Sequence, residues 1–347
     1  MSKVNQNLVD SVFARSVGYG NDKVLQGPAY GVDCAVISIT EKIGMVVASD
    51  PLSIIPQIGM KASAYISLHL AANDIATSGL APQYGQFTLN LPQYMDEEGL
   101  KQYWEHIHQF AEQVKINITG GHTSFDAHNN STLSGAVTLF AVGDRENIMT
   151  STQAEEGDVL LMTKTAGLTA ISILAMVFPN YLRAHVGDEV VQEAASSFWN
   201  ISVLPEAHAV GELHMDSKIV NAMHDVTEGG VVGAAYEFAA ASRKGIRVDI
   251  DKIPVSPVHA EVAHIFGLDP KHIIGAGSML IACKKEGKEM LINEFQRRGI
   301  SCTEIGQFLH EHEGKFFTKR DEMYPLNAPA EDAYWSVFAK SMENGLS

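Results

Sequence analysis

Short apolar runs alternate with longer helix-like stretches along the first half of the chain. Runs of four to eight residues rich in valine and isoleucine favour strands, whereas longer apolar or amphipathic stretches favour helices. The pattern predicts strands at residues 34–39, 44–48, 84–91, 116–119 and 132–142. It predicts helices at residues 4–17, 59–78 and 97–114.

A polar turn at residues 155–158 precedes a second set of alternating runs. Strands are predicted at residues 159–163, 247–250, 278–283 and 302–308. Helices are predicted at residues 168–178, 188–198, 205–213, 231–242, 259–266 and 288–297. Helices interleaved with strands indicate two α/β or α+β domains joined near residues 144–158, and we place them at 1–150 and 151–347.

The composition excludes several classes of protein. The 347 residues are 46% apolar and 19% charged, which is typical of a globular chain with a large core. A formal net charge of −16 repels nucleic-acid phosphates and anionic lipid, so we expect neither partner. Three cysteines without a CxxC spacing, a polar N-terminus and no apolar run long enough to span a bilayer favour the cytoplasm.

Three aspartates stand alone in apolar stretches. Asp33 is the only charged residue between Val24 and Thr40, and Asp50 and Asp74 are isolated in the same way. A carboxylate in such a setting costs several kcal/mol to desolvate unless a cation or several donors meet it. A hard divalent metal shared with substrate phosphates satisfies all three, whereas the alternative for each aspartate is a helix cap or a turn.

Glycine-rich segments are candidates for phosphate contacts. Gly120 and Gly121 follow a predicted strand and precede His122, and paired glycines allow a backbone to approach a ligand with its N–H groups. An ordinary tight turn is the alternative. Lys23, after another glycine-rich segment, either reaches a phosphate or is solvated. Neither a GxxxxGK[ST] nor a strand-linked GxGxxG pattern is present, which argues against P-loop and Rossmann sites.

The second half contains the motif His224-Asp225-Val226-Thr227-Glu228-Gly229-Gly230 before an apolar helix. An amide-rich helix N-terminus of this kind suits an anion. The alternative, which is compatible with it, is a capped helix in which Thr227 is the cap and the acidic residues favour its positive end.

Taken in order, these motifs resemble the superfamily of aminoimidazole-ribonucleotide synthetase, thiamine-monophosphate kinase, selenophosphate synthetase and the hydrogenase-maturation protein HypE, with HypE-like proteins the nearest branch. The resemblance covers nearly the whole chain. It runs through residues 27–33, 49–52, 72–76, 120–121, 223–230 and 245–248.

The resemblance implies a PurM-like fold with N-terminal strands that form a dimeric β-barrel and a C-terminal α/β sandwich. It implies a homodimer that binds ATP and Mg²⁺ and uses the γ-phosphate to activate an oxygen or amide group. Asp33, Asp50, Asp74 and Asp225 correspond to metal ligands, with Asp74 and Asp225 in catalytic positions. The expected cofactor-binding residues are Asn73, Gly120, Gly121, His122 and Lys23.

Three departures from the family pattern leave the substrate open. HypE ends in a reactive cysteine, whereas the last cysteine here is Cys302. Selenophosphate synthetases usually hold a cysteine or selenocysteine in the N-terminal glycine-rich loop, and residues 18–27 hold neither. Thiamine-monophosphate kinases carry paired acids where this chain has Val32 and Asp33.

We therefore expect an ATP-dependent phosphotransferase or synthetase that acts on a small molecule or on a maturation partner. Hydrogenase or other metalloenzyme maturation is one setting for such an enzyme. The alternatives are a small-molecule kinase and a non-catalytic scaffold in metalloenzyme maturation. His122, where many members carry an acid, and the missing tail thiol favour the scaffold, whereas the buried carboxylates favour the enzyme.

Overall fold

The structure, a computed structural model, describes residues 4–125, 134–329 and 331–347. Within these residues the first half of the chain forms a six-stranded sheet in the order β1-β2-β3-β6-β4-β5. Its strands are β1 (Val24–Gln26), β2 (Ala35–Ser38), β3 (Ile43–Pro51), β4 (Tyr84–Leu91), β5 (Asn117–Phe125) and β6 (Ser134–Asp144). The helices are α1 (Gln6–Leu8), α2 (Gly59–Ala76) and α3 (Glu97–Gln113).

The second half forms a seven-stranded sheet in the order β13-β12-β9-β11-β7-β10-β8 within the described residues. Its strands are β7 (Val159–Thr163), β8 (Val220–Asp225), β9 (Gly245–Asp249), β10 (Met279–Cys283), β11 (Cys302–Leu309), β12 (Lys315–Lys319) and β13 (Glu322–Pro325). The helices are α4 (Leu168–Val177), α5 (Pro179–Val186), α6 (Asp188–Ser196), α7 (Leu204–Ser217), α8 (Gly230–Ala241), α9 (Pro257–Ile265), α10 (Lys288–Arg297) and α11 (Ala333–Glu343). The predicted two-domain α/β fold is confirmed.

Helix α2 joins the two halves because it is apolar on nearly every face. Its buried residues pack on the inner face of the first sheet and also against the second half. Tyr65 of α2 lies 5.0 Å from Phe110 of α3 and 5.9 Å from Phe198, between ring centres. A helix that is apolar all round is buried on all sides, which explains why one core cluster extends from Cys34 to Tyr334.

The predicted strands at 84–91 and 159–163 and the predicted helix at 288–297 have the observed bounds. Other predictions were wrong in extent. The expected helix at 4–17 is reduced to α1 and a π-helical turn at Val9–Phe13. Strand β3 extends to Pro51, so Asp50 lies within the strand rather than beyond it. Residues 132–133, where the prediction started its last N-terminal strand, lie outside the described residues.

The first sheet is open within the described residues, with β1 and β5 at its edges. Its inner face is covered by α2, and its outer face carries partly exposed apolar side chains. These are Ile37, Met45, Val47, Tyr84, Phe140 and Val142. The expected barrel therefore does not close within one chain. None of the helices in the described ranges is both long and apolar enough to cross a bilayer.

Candidate functional site

Three of the four predicted metal ligands lie around one buried thiol, that of Cys34. Asp33 precedes β2, Asp74 lies in the last turn of α2, and Asp225 ends β8. Burial raises the pKa of the Cys34 thiol, and the charges of Asp33, Asp74 and Asp225 raise it further. Carboxylates act on a neighbouring group in this way only at short range, so residues far apart in sequence converge where the two halves meet.

Strand β8 turns Asp225 toward α2. Met223 belongs to the apolar cluster that contains Ala76 of α2, whereas Ala222 belongs to the cluster around α8. Because side chains alternate along a strand, Asp225 shares the α2 side with Met223, and His224 shares the α8 side with Ala222. The adjacent residues His224 and Asp225 therefore point to opposite sides of β8. Asp225 faces α2 of the first half, and His224 faces α8 of the second half.

His224 forms a buried bridge between the halves. Its Nδ1 lies 2.8 Å from Oδ1 of Asp33, and its Nε2 lies 3.6 Å from Oε2 of Glu237 on α8. Burial alone lowers the pKa of His224, but the charge and hydrogen bond of Asp33, followed by those of Glu237, raise it to about 10. The ring is therefore an imidazolium at neutral pH, and it donates from Nδ1 to Asp33, while Nε2 faces Glu237 at the longer distance of an ion pair. Ser151 also donates to Asp33, at 3.1 Å from Oδ2.

Sequence reasoning missed this bridge, although one signal was present. Glu237 is the only charged residue between Glu228 and Arg243, inside an apolar helix. The same isolation singled out the three aspartates. Its partner His224 was treated only as a neighbour of Asp225, because no sequence rule pairs it with Asp33, 191 residues away.

Asp50 approaches from the first sheet. It lies on the same face of β3 as Val46 and Ala48, which are buried under α2, and its Cα partner is Val137 of β6. Its side chain is thus on the inner face of the sheet.

The buried amide of Asn73 contacts backbone rather than open space. Its Nδ2 donates to the carbonyl of Ile201 at 2.8 Å, and its Oδ1 accepts from the N–H of Val203 at 2.9 Å. These two bonds tie α2 to the segment before α7 and so fix the helix turn that carries Asp74.

The Gly120-Gly121 segment is a strand and not the predicted loop. Gly121 is paired with Phe87 of β4, and a Cβ on it would lie 1.8 Å from the Phe87 carbonyl oxygen. The glycine thus permits two protein strands to approach each other, so the tight-turn alternative is wrong, and the phosphate contact stays a prediction. His122 is exposed and paired with Thr88 on the outer face, and Lys23 is exposed before β1.

The N-terminus of α8 differs from both expectations for it. The N-cap is Gly229, with a left-handed φ of 80°, and not Thr227. The N–H of Gly229 donates to Oδ2 of Asp332 at 3.0 Å. A carboxylate of the chain itself occupies the place where an anionic ligand was expected.

The donors present are compatible with a hard divalent cation. In the described residues, no group of three or more acidic, histidine or cysteine side chains is arranged so that it could by itself hold a metal ion. Mg²⁺ does not need one, because it is held by one or two carboxylates together with water and substrate phosphates. Asp33 retains acceptor capacity beyond its contacts with His224 and Ser151, since an ionised carboxylate has about four lone-pair sites.

The fold and the site together define a class: an α/β protein of two sheets with a carboxylate cluster at their junction. Residues 31–143 match the family model "AIR synthase related protein, N-terminal domain", and residues 155–319 match the model of the C-terminal domain. The chain belongs to the AIR synthase related family.

Similar proteins carry different activities in their names. The chain is 26% identical to "Selenide, water dikinase" of Methanocaldococcus jannaschii, over 82% of this chain and 83% of that one. It is 29% identical to "Carbamoyl dehydratase HypE" of Escherichia coli K12, over 64% and 62%.

Solved structures share the fold. "AaThiL complexed with AMPPCP and TMP" is similar with a TM-score of 0.70 and 17% identity, over 91% of this chain and 95% of that one. "Crystal structure of HypE-HypF complex" gives a TM-score of 0.69 and 16% identity, over 93% and 99%. The expected membership and its HypE-like relatives are confirmed.

Proposed function

We propose that this protein transfers a phosphoryl group from ATP, with Mg²⁺, to an oxygen or amide group of its substrate. The observation that carries the proposal is the convergence of Asp33, Asp74 and Asp225 around the buried Cys34. Carboxylates from both halves meet at a junction where a cation and a phosphate chain offset their charge. A structure of similar fold is a complex with AMPPCP, an analogue of ATP, which supports a nucleotide as the phosphoryl donor.

Each acid has a distinct part in this proposal. Asp33, Asp74 and Asp225 hold the cations from three elements, and Asp50 adds a ligand from the inner face of the first sheet. Bound Mg²⁺ neutralises charge that develops on the transferring phosphoryl group. In this proposal Asp74 and Asp225 face the reacting atoms, and His224 orients Asp33 by donating to it from Nδ1.

The phosphates are assigned to Gly120, Gly121, His122 and Lys23, in a nucleotide-binding and dimerisation domain of residues 1–150. The outer face of the first sheet, with its partly exposed apolar side chains, supports a homodimer built on that face. Residues 151–347 supply Asp225 and the rest of the substrate cleft.

The substrate class follows from the chemistry rather than from any one relative. The relatives include a dikinase and a carbamoyl dehydratase, and a structure of similar fold contains TMP. Activation of an amide, in hydrogenase or other metalloenzyme maturation, fits the carbamoyl dehydratase, and a small-molecule kinase fits the dikinase and the structure that contains TMP. A structure of similar fold is a complex of HypE with HypF, which supports a protein partner.

The first test is thermal unfolding with ATP and Mg²⁺ together and with each alone. A joint site gives a large shift only with both, corresponding to about 2.7 kcal/mol at a ligand concentration 100 times Kd. Asp74→Asn should abolish this shift and ATP hydrolysis while the unliganded protein keeps its melting temperature. Asp144→Asn, at the exposed end of β6, serves as the matched control and should behave as the wild type. Normal turnover by Asp74→Asn contradicts the proposal.

A non-catalytic scaffold is the second candidate. It is favoured by the position of His122, which lies on the outer face of the first sheet whereas Asp50 lies on the inner face. A scaffold gives no nucleotide-dependent shift and instead forms a stable complex with a maturation protein. Thermal unfolding and a pull-down therefore separate the two candidates.

A further inference from the structure

A cavity lies between α2 and the second half of the chain. Its volume is about 820 Å³, within the range of small-molecule sites. Tyr65 of α2 and Trp199 form part of its wall, and Lys164, Glu193, Glu206 and Arg298 are the charged residues that line it. None of these residues belongs to the carboxylate cluster proposed for phosphoryl transfer.

One carboxylate oxygen at this cavity has no donor. Glu206 is fully buried, and its Oε1 lies 2.9 Å from Nζ of Lys164 and accepts from Oγ1 of Thr163 at 3.2 Å. Its Oε2, also buried, has no hydrogen-bond partner among the residues that the structure describes. A buried acceptor without a donor costs about 1–3 kcal/mol, and more when it is charged.

Lys164 cannot supply the missing donor, because its ammonium group is already fully used. Besides Glu206, it donates to the carbonyls of Asn200 at 3.0 Å and Ser202 at 2.6 Å. An ammonium group has three N–H donors, and all three have acceptors here. Lys164 also adopts a left-handed backbone conformation, with φ 56°. Such strain in a non-glycine residue concentrates at ligand sites.

The charges around the cavity favour a cation. Arg298 is paired with Glu212 and Glu294, so it is compensated outside the cavity. Lys164 offsets only one of the two lining carboxylates, Glu193 and Glu206. The buried imidazole of His259, which also lines the cavity, adds no positive charge, since burial lowers its pKa below the ordinary value of 6.5.

The aromatic wall suits the same kind of ligand. The indole of Trp199 is 39% exposed, and its centre lies 5.0 Å from that of Tyr65. The ammonium of Lys61 lies 5.4 Å from the centre of the Trp199 ring, so this ring already has a cation of the chain beside it and offers its exposed part to the apolar body of a ligand. A ligand with a positive amine and a flat apolar body matches both the carboxylate and the aromatic wall.

We propose that the cavity lined by Glu206 and Trp199 is a binding site for a small organic amine, whose ammonium group donates to Oε2 of Glu206. The amine forms the hydrogen bond that the protein leaves open, and its apolar body packs on Trp199. This site is separate from the proposed phosphoryl-transfer site, and its occupation requires neither nucleotide nor magnesium.

The test is calorimetric titration of the full chain at pH 7.5 with three probes of one shape: benzylamine, benzyl alcohol and benzoate. Saturable binding is expected for benzylamine, with the neutral and anionic probes at least about 10-fold weaker. Glu206→Gln should weaken benzylamine by about 10-fold or more, and the control Glu189→Gln, on the exposed first turn of α6, should leave it unchanged.

Trp199→Ala provides a second variant, because Glu206→Gln also removes the partner of Lys164 and is at risk of misfolding. This rim substitution should weaken benzylamine by about 5-fold without loss of the fold. Equal affinities for benzylamine, benzyl alcohol and benzoate, or no saturable binding of benzylamine, overturn the proposal. In that case a water molecule is the donor to Oε2 of Glu206. Since no nucleotide is present, failure here is independent of failure of phosphoryl transfer.

Discussion

Asn73→Ala tests whether the buried amide beside Asp74 holds the two halves together or binds nucleotide. The substitution deletes a donor to Ile201 and an acceptor for Val203, both at full burial. Each backbone group left without a partner costs about 1–3 kcal/mol, so the free energy of unfolding should fall by about 2–6 kcal/mol. We expect this loss in stability because the amide bonds to backbone.

Urea denaturation followed by tryptophan fluorescence measures that loss. With a slope of about 3 kcal/mol per molar urea for a chain of this size, a loss of 4 kcal/mol lowers the midpoint by about 1.3 M. Asn117→Ala, at an exposed position at the start of β5, is the control and should change the midpoint by less than about 0.2 M. An unchanged midpoint for Asn73→Ala together with weaker nucleotide binding refutes the structural role and supports the expected cofactor-binding role.

Two further substitutions test burial and backbone approach. Burial, reinforced by the charge of Lys164, lowers the pKa of His69 to about 4, so its contribution to stability is complete above pH 6.5 and is lost as the pH falls toward 4. Over those 2.5 pH units the free energy of unfolding falls by about 3 kcal/mol through His69. The free energy of unfolding of the wild type, measured against pH, should therefore fall more steeply than that of His69→Gln. Parallel curves for the two proteins contradict the prediction. Gly121→Ala should lower the melting temperature more than Gly120→Ala. Both glycines have positive φ, but only a Cβ on Gly121 would meet the Phe87 carbonyl. Scanning calorimetry measures the two melting temperatures, and equal shifts contradict the close approach of the strands.

Periodicity predicted those elements whose burial follows a simple pattern. Strand β4 alternates between exposed and buried positions, and β7 is a continuous apolar run, so both were predicted with the observed bounds. Strand β8 was missed because Asn221, His224 and Asp225 are polar in an almost entirely buried strand. Strand β5 was predicted only over residues 116–119, because the glycines that continue it are explained only by the parallel pairing with β4, which the sequence does not display.

The candidate site was predictable where the signal was local. Isolation in an apolar stretch singled out Asp33 and Asp74, and the cluster around Cys34 contains both. Which donor meets an isolated acid depends on the tertiary fold. The expectation of a metal or several donors for Asp33 is met in part by His224 and Ser151, from positions far along the chain. The roles of the remaining predicted residues stay predictions.

The two faces of the first sheet separate the predicted phosphate contacts from a predicted metal ligand. His122 lies on the outer, exposed face of the sheet beside Thr88, and Asp50 lies on the inner face, as Ala48 does. Side chains on opposite faces of a sheet cannot meet one ligand across it, so contact with both requires a ligand that passes around an edge. His122 lies on β5, which is an edge strand in the described part of the chain. A second copy packed on the outer face adds a wall at that edge. The predicted phosphate role of His122 therefore depends on the proposed homodimer, whereas the carboxylates around Cys34 all belong to one chain.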